Sequence, residues 1–231
     1  MKRFWQEVSV APVESGWQVL LDGRKVKTQA GKAQAVPTPA LAELLAAEWR
    51  AQGPEIDPAG FPLRDLTDYA IDVIALDPAP LVAKLIGYAE TDTLCYRADP
   101  DELHYPRQRD LWEPLVTAAE ARHGVKFTRV SGVMHRPQKP ETLAALAEVI
   151  ARFDPFTLAA LELATSLSAS LITGLAALGP DADPAALFAA ANAEEDWQAE
   201  QWGWEWTAED RRALRLAAFT RAVAFVRAAN G

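Results

Sequence analysis

From Phe4 to Val10 apolar and polar residues come close to alternating, the period of a half-buried strand. Trp17-Gln18-Val19-Leu20-Leu21 and Arg24-Lys25-Val26-Lys27-Thr28 read as two more strands, and they flank Asp22-Gly23. An Asp-Gly pair between two such runs predicts a tight hairpin, because both turn positions favour positive φ. Asp22 and Gly23 are therefore assigned a structural role. Val36-Pro37 ends the β-rich region.

The period then changes from two to about 3.6. Thr38 is placed to cap a helix whose first turn holds Pro39, where no amide partner is lost. Leu41, Leu45, Glu48, Trp49 and Gln52 fall on one side of it, and Gly53-Pro54 stops it. This stripe makes Trp49 a packing residue. Further helices are expected from Asp65 to about Leu76, Pro80 to Ala89, Pro106 to His123, Pro140 to Phe153, Pro184 to Trp202 and Ala208 to Ala229. The last begins at a capping-box-like Thr207 and Asp210. Its apolar stripe is Leu216, Phe219, Val223 and Val226, with Arg211, Arg212, Arg215 and Arg227 left for the wet side. Two short β-like runs, 92–97 and 130–134, are expected to pair as a ribbon. The pattern is α+β: a small N-terminal β domain, residues 1–36, followed by a larger, mainly α-helical C-terminal domain, residues 37–231.

The run from Phe156 to Leu178 carries one charge, Glu162, and is as long as a bilayer span. Its many Ala, Ser and Thr and its lack of a basic flank favour a buried central helix of a globular domain. No membrane insertion is expected.

The net charge of −9 opposes a nucleic-acid partner, because phosphate binding needs clustered Lys and Arg. One cysteine, Cys95, excludes a disulfide framework and suits a reducing compartment. The first residues show no apolar signal core.

Catalytic chemistry has little to stand on. His104, His123 and His135 lie in no recognisable motif, and three scattered His with one Cys do not make a zinc site. No glycine-rich loop precedes a helix to cradle phosphates. Asp68 and Asp72, like Asp196 and Glu200, stand one helical turn apart, a spacing common on solvated faces. No cofactor and no metal are expected. Cys95 reads as a buried core thiol.

One segment is unusual. Residues 181–210 hold nine acidic residues, no Lys or Arg, and four of the eight tryptophans: Trp197, Trp202, Trp204 and Trp206. On a helix Glu194, Gln198, Trp202 and Glu205 share a side, with Glu195 close in azimuth. Two uses fit. The tryptophans fill a seam between the last helices, with the acids in solvent. Alternatively, Trp supplies interface area while the carboxylates orient an incoming cation. A second cluster, Tyr88 to Arg97, contains Asp92 and Arg97, expected to form a structural internal ion pair.

The ordered set of residues resembles the assembly chaperones of the ATP synthase alpha subunit, found in mitochondria and alphaproteobacteria. The resemblance runs from Arg3-Phe4-Trp5 through Leu21-Asp22-Gly23-Arg24, Pro37-Thr38, Glu48-Trp49 with Gln52, and Pro62-Leu63. It continues through Ala70-Ile71-Asp72, Thr91-Asp92, Leu94-Cys95-Tyr96-Arg97, and Gln108 with Trp112. It closes on Glu194-Glu195, Gln198, Trp202-Gly203 and Glu205. It implies a non-catalytic chaperone that holds the free alpha subunit of the F-type ATP synthase head until beta subunits arrive. It also implies a β domain followed by a helical domain. Glu194, Glu195, Gln198, Trp202 and Glu205 are the expected partner-binding residues. A monomer is expected, in the bacterial cytoplasm or, for a mature eukaryotic form, the mitochondrial matrix. The rival reading is an enzyme or small-ligand binder using an interdomain cleft.

Overall fold

The computed structural model describes residues 1–132 and 134–231. Two compact units divide the chain. The first comprises residues 1–78, with 154–160 and 224–231 returning to it; the second comprises 79–153 and 161–223. The change from strand to helix at Val36 lies inside the first unit and not at its border.

In the first unit, β1 (Val8–Val13) pairs antiparallel with β2 (Gly16–Leu21), which also pairs with β3 (Arg24–Lys25) and β4 (Ala35–Val36). Asp22 and Gly23 make the predicted tight turn, with φ of 49° and 75°. The Asp22 carboxylate also accepts from the Gln6 and Glu7 amides, at 3.0 and 2.8 Å. The Glu7 and Gln6 amides together hold its pKa below the ordinary carboxylate value. The first strand begins later than expected, at Val8. Before it the chain is tied by backbone bonds, Arg3 N to Pro54 O and Ile56 N to Met1 O.

Helix α1 (Pro39–Ala51) has the predicted cap, Thr38 Oγ1 accepting from Leu41 N at 3.1 Å. Its stripe of Leu41, Leu45 and Trp49 is buried. Trp49 meets Trp5 edge-on at 5.0 Å and Phe61 at 4.6 Å. Glu48, from the same helix, accepts from the Leu63 and Arg64 amides and so caps α2 (Pro62–Tyr69), whose N-cap Phe61 has no side chain able to do so. Burial pushes the Glu48 carboxyl up despite these donors. A wider turn of π type, Ala70–Ile74, continues α2.

Asp68 and Asp72 do not lie on a solvated face. Asp68 is buried, accepting from Gln34 Nε2 and Gln29 N; Asp72 accepts from Thr28 Oγ1 and Ala30 N. In the irregular loop 28–34 the two carboxylates meet the Gln29 and Ala30 amides, while Thr28, Gly31 and Gln34 donate to backbone carbonyls and Lys32 N to Thr28 Oγ1.

The second unit is helical: α3 (Ala79–Glu90), α4 (Tyr105–His123), α5 (Pro140–Ile150), most of α6 (Pro155–Ser168), α7 (Leu171–Ala177), α8 (Pro184–Ala191), α9 (Ala193–Trp202) and most of α10 (Ala208–Asn230). The expected ribbon exists as two residues a side, parallel: β5 (Tyr96–Arg97) with β6 (Val130–Ser131). Val133, inside the expected run, is outside the described residues. Trp112 of α4 is fully buried and donates Nε1–H to Ala190 O at 2.6 Å. Phe188, Phe219, Leu187 and Val223 form an apolar cluster with Ala164, Ala177 and Ala222.

The single helix expected over 156–178 is two helices, α6 and α7, broken at Ala169 and Ser170. Ala169 takes φ of +48°, and Ser170 caps α7 by accepting from Thr173 N. The returning helix comes so close that a Cβ on Gly174 would sit 2.2 Å from Thr165 Oγ1. Glu162 pairs with Lys84 at 2.6 Å. No helix among the described residues is long and apolar enough to cross a membrane. Because alanine is strained at positive φ, Ala169→Gly should raise stability by about 1 kcal/mol. Thermal unfolding checks this, and a lower melting temperature would contradict it.

The expected Asp92–Arg97 ion pair does not form. The Asp92 carboxylate is buried and accepts from Leu94 N, Ser170 Oγ and Ile172 N at 3.1, 2.7 and 2.9 Å. Arg97 turns away and pairs with Glu113 at 2.8 Å. Arg129, with Arg97 beside it, draws the Glu113 pKa down to about 2. Asp92 is thus the clasp at the α6–α7 break, three amide and hydroxyl donors being better matched to it than a guanidinium five positions along the chain. Cys95 is buried as expected, and burial pushes its thiol up.

Candidate functional site

The acidic, tryptophan-rich run folds as α8, α9 and the turn before α10. The helix expected from 184 to 202 breaks at Asn192, whose side chain donates back to Phe188 O at 2.8 Å. This break separates the apolar α8 from the polar α9. Glu194, Glu195 and Asp196 occupy the first turn of α9, where a helix N-terminus favours negative charge.

Cations from outside the run meet several of its acids. Asp196 takes both arms of Arg212, at 2.5 Å each. Glu195 pairs with Arg215 at 3.1 Å, Glu200 with Arg107 at 2.6 Å and Glu205 with Arg211 at 3.3 Å. Arg212 and Arg215 of α10 are therefore not on the wet side. They cross to α9, lie over the Phe188 ring, and Arg215 also donates to Asn192 Oδ1 and Leu167 O. Arg107 holds the Glu200 pKa below its usual value.

What remains outward is a face of α9. Glu194, Gln198 and Trp202, at steps of four, are all exposed, and Glu194 has no ion-pair partner among the described residues. Trp202 is 75 % exposed and Trp206 92 %. Trp204 is also exposed. Trp197 is half-buried, packed between His104 at 4.8 Å and Trp202 at 5.8 Å. The seam-filling use thus fits only Trp197. Glu205 does not share the helical side, because α9 ends at Trp202 and Gly203 turns the chain with φ of 81°. Glu205 is exposed in the turn beyond.

On the side of α9 that carries Asp196 is a cavity of about 470 Å³, lined by Leu111, Ala186, Ala189 and Ala190 and edged by Arg107, Asp110 and Asp196. Small side chains make its floor, so an incoming apolar group finds room there. Sequence reasoning missed the residues that frame this site: Arg107, His104, Leu111 and the α8 alanines. Arg107 is 93 positions from Glu200, a pairing no local pattern announces. A signal did exist for Arg212 and Arg215, which lie three apart and face the acids once the last two helices are folded back.

Thirty-six per cent of residues are identical to those of the crystal structure of Atp12 from Paracoccus denitrificans, with a TM-score of 0.93, covering 99% of this chain and 98% of that one. The Atu1473 protein of Agrobacterium tumefaciens, described as a putative chaperone, gives 39% identity and 0.92 over 100% of this chain and 86% of that one. The mitochondrial protein atp12 of Schizosaccharomyces pombe is 26% identical over 214 residues, 87% of this chain and 74% of the relative. The family model of the ATP12 chaperone protein matches residues 2–120, which include the Asp22-Gly23 turn, the Glu48 cap, the Trp49 stripe and Asp92. With that match across more than half its length, and a shared fold over nearly all of it, the chain belongs to the ATP12 chaperone family.

Proposed function

We propose that this protein is a non-catalytic chaperone that binds the free alpha subunit of the F-type ATP synthase head and shields it until beta subunits displace it. Family membership supports the chaperone role, and the ordered residues from Arg3 to Glu205 support the choice of client. The observation that carries the reading is the exposed group of Trp202, Trp204 and Trp206 beside unpaired Glu194. Large apolar side chains held in water are characteristic of a surface made to be covered. An unassembled subunit exposes the surface meant for its neighbours, and a partner that covers it opposes aggregation by mass action. Release requires that this contact be weaker than the final one.

Glu194, Gln198, Trp202 and Glu205 form the proposed docking face. Glu195 contributes through its pairing with Arg215, which sets the position of α9. The protein acts as a monomer in the compartment where the head is assembled, the cytoplasm in a bacterium or the matrix in a mitochondrion.

The test uses purified alpha subunit diluted from denaturant, with light scattering as the readout. The protein should suppress aggregation in stoichiometric amounts and form a complex that beta subunit dissolves. Glu194→Lys with Trp202→Ala should weaken capture by about 2 kcal/mol or more, roughly 30-fold, with unchanged melting. Undiminished capture by the folded variant would remove α9 from the docking face. A small molecule that is turned over by the protein would replace the chaperone reading with an enzymatic one.

A further inference from the structure

In the first unit a groove of about 600 Å³ opens beside the hairpin. Its apolar lining is Phe4, Leu21, Val26, Trp49 and Ile56, with Met1 and Pro58. Phe4 is 67 % exposed, although its neighbour Trp5 is buried against Trp49. Arg24, Lys25, Lys27 and Arg64 edge the groove. Arg64 is engaged by Asp65 and by the Phe61 ring. Arg24, Lys25 and Lys27 are exposed; none makes a salt bridge among the described residues, although the Asp22 carboxylate feels the charge of Arg24. The one acid in the lining, Asp68, is taken up by Gln34 and Gln29.

We propose that this groove is a second docking surface, which takes an acidic segment of a client polypeptide carrying an apolar anchor residue. The proposal depends on the chaperone reading only in taking the occupant to be a polypeptide.

Charge complementarity selects the occupant. The chain carries 32 acidic and 23 basic side chains, so its average field repels anions. Arg24, Lys25 and Lys27, three cations within four residues, make this edge locally basic. Along 25–28 alternation buries Val26 and Thr28 and exposes Lys25 and Lys27, while Arg24, beside the turn, is exposed as well. The cations therefore stand at the rim while the floor stays apolar. An anchor side chain of the client enters the floor, replacing water against Phe4 and Val26. Flanking carboxylates meet the rim, which sets orientation and speeds encounter. A volume of this size admits a few side chains and not a folded domain, so the segment binds in extended form.

The test is fluorescence anisotropy with two labelled ten-residue peptides of the same Leu and Phe content, one flanked by Asp and Glu, the other by Lys. The acidic peptide should bind, more weakly as salt is raised, and the basic one should not. Lys25→Glu with Lys27→Glu should weaken the acidic peptide at least about tenfold, and the milder Lys25→Ala with Lys27→Ala by less. Circular dichroism confirms that each variant is folded. Glu194→Lys with Trp202→Ala should leave peptide binding unchanged, since it alters the other unit. Equal binding of both peptides, or no loss in the Lys25 and Lys27 variants, overturns the proposal. Variants that only self-associate would show the cations to be guards of a bare strand edge, which also overturns it. So would binding of laurate in place of peptide. Undiminished alpha-subunit capture by Glu194→Lys with Trp202→Ala, with peptide binding intact, would count against the α9 face alone.

Discussion

Asp92→Ala should cost about 3–5 kcal/mol and lower the melting temperature by roughly 10 °C or more. The carboxylate is fully buried and is the shared acceptor for Leu94 N, Ser170 Oγ and Ile172 N. Its removal leaves three buried donors unmet, each a desolvation loss of about 1–3 kcal/mol before relaxation. It also unfastens the break that lets α6 and α7 fold back on each other. The pH dependence is distinctive. Burial raises the Asp92 pKa to about 6, above its ordinary 3.8, outweighing the donors from Ile172, Ser170 and Leu94. The folded state therefore holds this proton more tightly than the unfolded state. Asp92 favours folding more as pH falls from above 6 toward 4, and that gain is lost as pH rises through about 6. Comparing melting temperatures of the protein and of Asp92→Asn across pH 4 to 8 isolates the effect. Their difference should shift in favour of the protein at the acidic end. A pH-independent difference would mean that the carboxyl does not titrate in this window.

Trp49→Ala should lower stability by about 3–5 kcal/mol, the range for emptying an aromatic core position. Trp49 is packed between Trp5 and Phe61, with Arg64 over its ring at 5.9 Å. Its indole N–H has no acceptor among the described residues, so the loss comes from packing and not from a hydrogen bond. Trp49→Phe should accordingly recover much of the stability, which a hydrogen-bonding role would not allow. Denaturant unfolding measures both variants. Since Trp49 also lines the groove beside the hairpin, normal melting combined with lost peptide binding would move it from the core to the docking surface.

These two positions show different degrees of legibility. Trp49 was readable because a helix repeats its buried side every three to four residues, and Leu41 and Leu45 mark the same side. For Asp92 the sequence points to a structural role but to the wrong partner. An ion pair with Arg97 is the nearest opposite charge in sequence, but the acceptor capacity of a buried carboxylate is filled by whichever donors folding brings. Here those are Ser170 and Ile172, nearly eighty positions away. The same limit applies to Glu48, which the sequence places on the α1 stripe without a role and whose carboxylate caps α2.

At the proposed docking face the acid and Trp content of 181–210 was visible at once, but not which groups stay free. Four carboxylates are met by arginines, three of them from α10. A charge run alone does not say whether its counterions are solvent or protein.

Sequence by itself determined the α+β class, the Asp22-Gly23 hairpin, the Thr38 cap and the apolar stripes, because each depends on φ preference or on a repeat spanning a few residues. Only the tertiary structure decided the break at Ala169, the loop held by Asp68 and Asp72, and the split of the acidic run into paired and exposed carboxylates. Those depend on where distant donors and cations arrive, and desolvation then makes each buried polar group take the partner within reach.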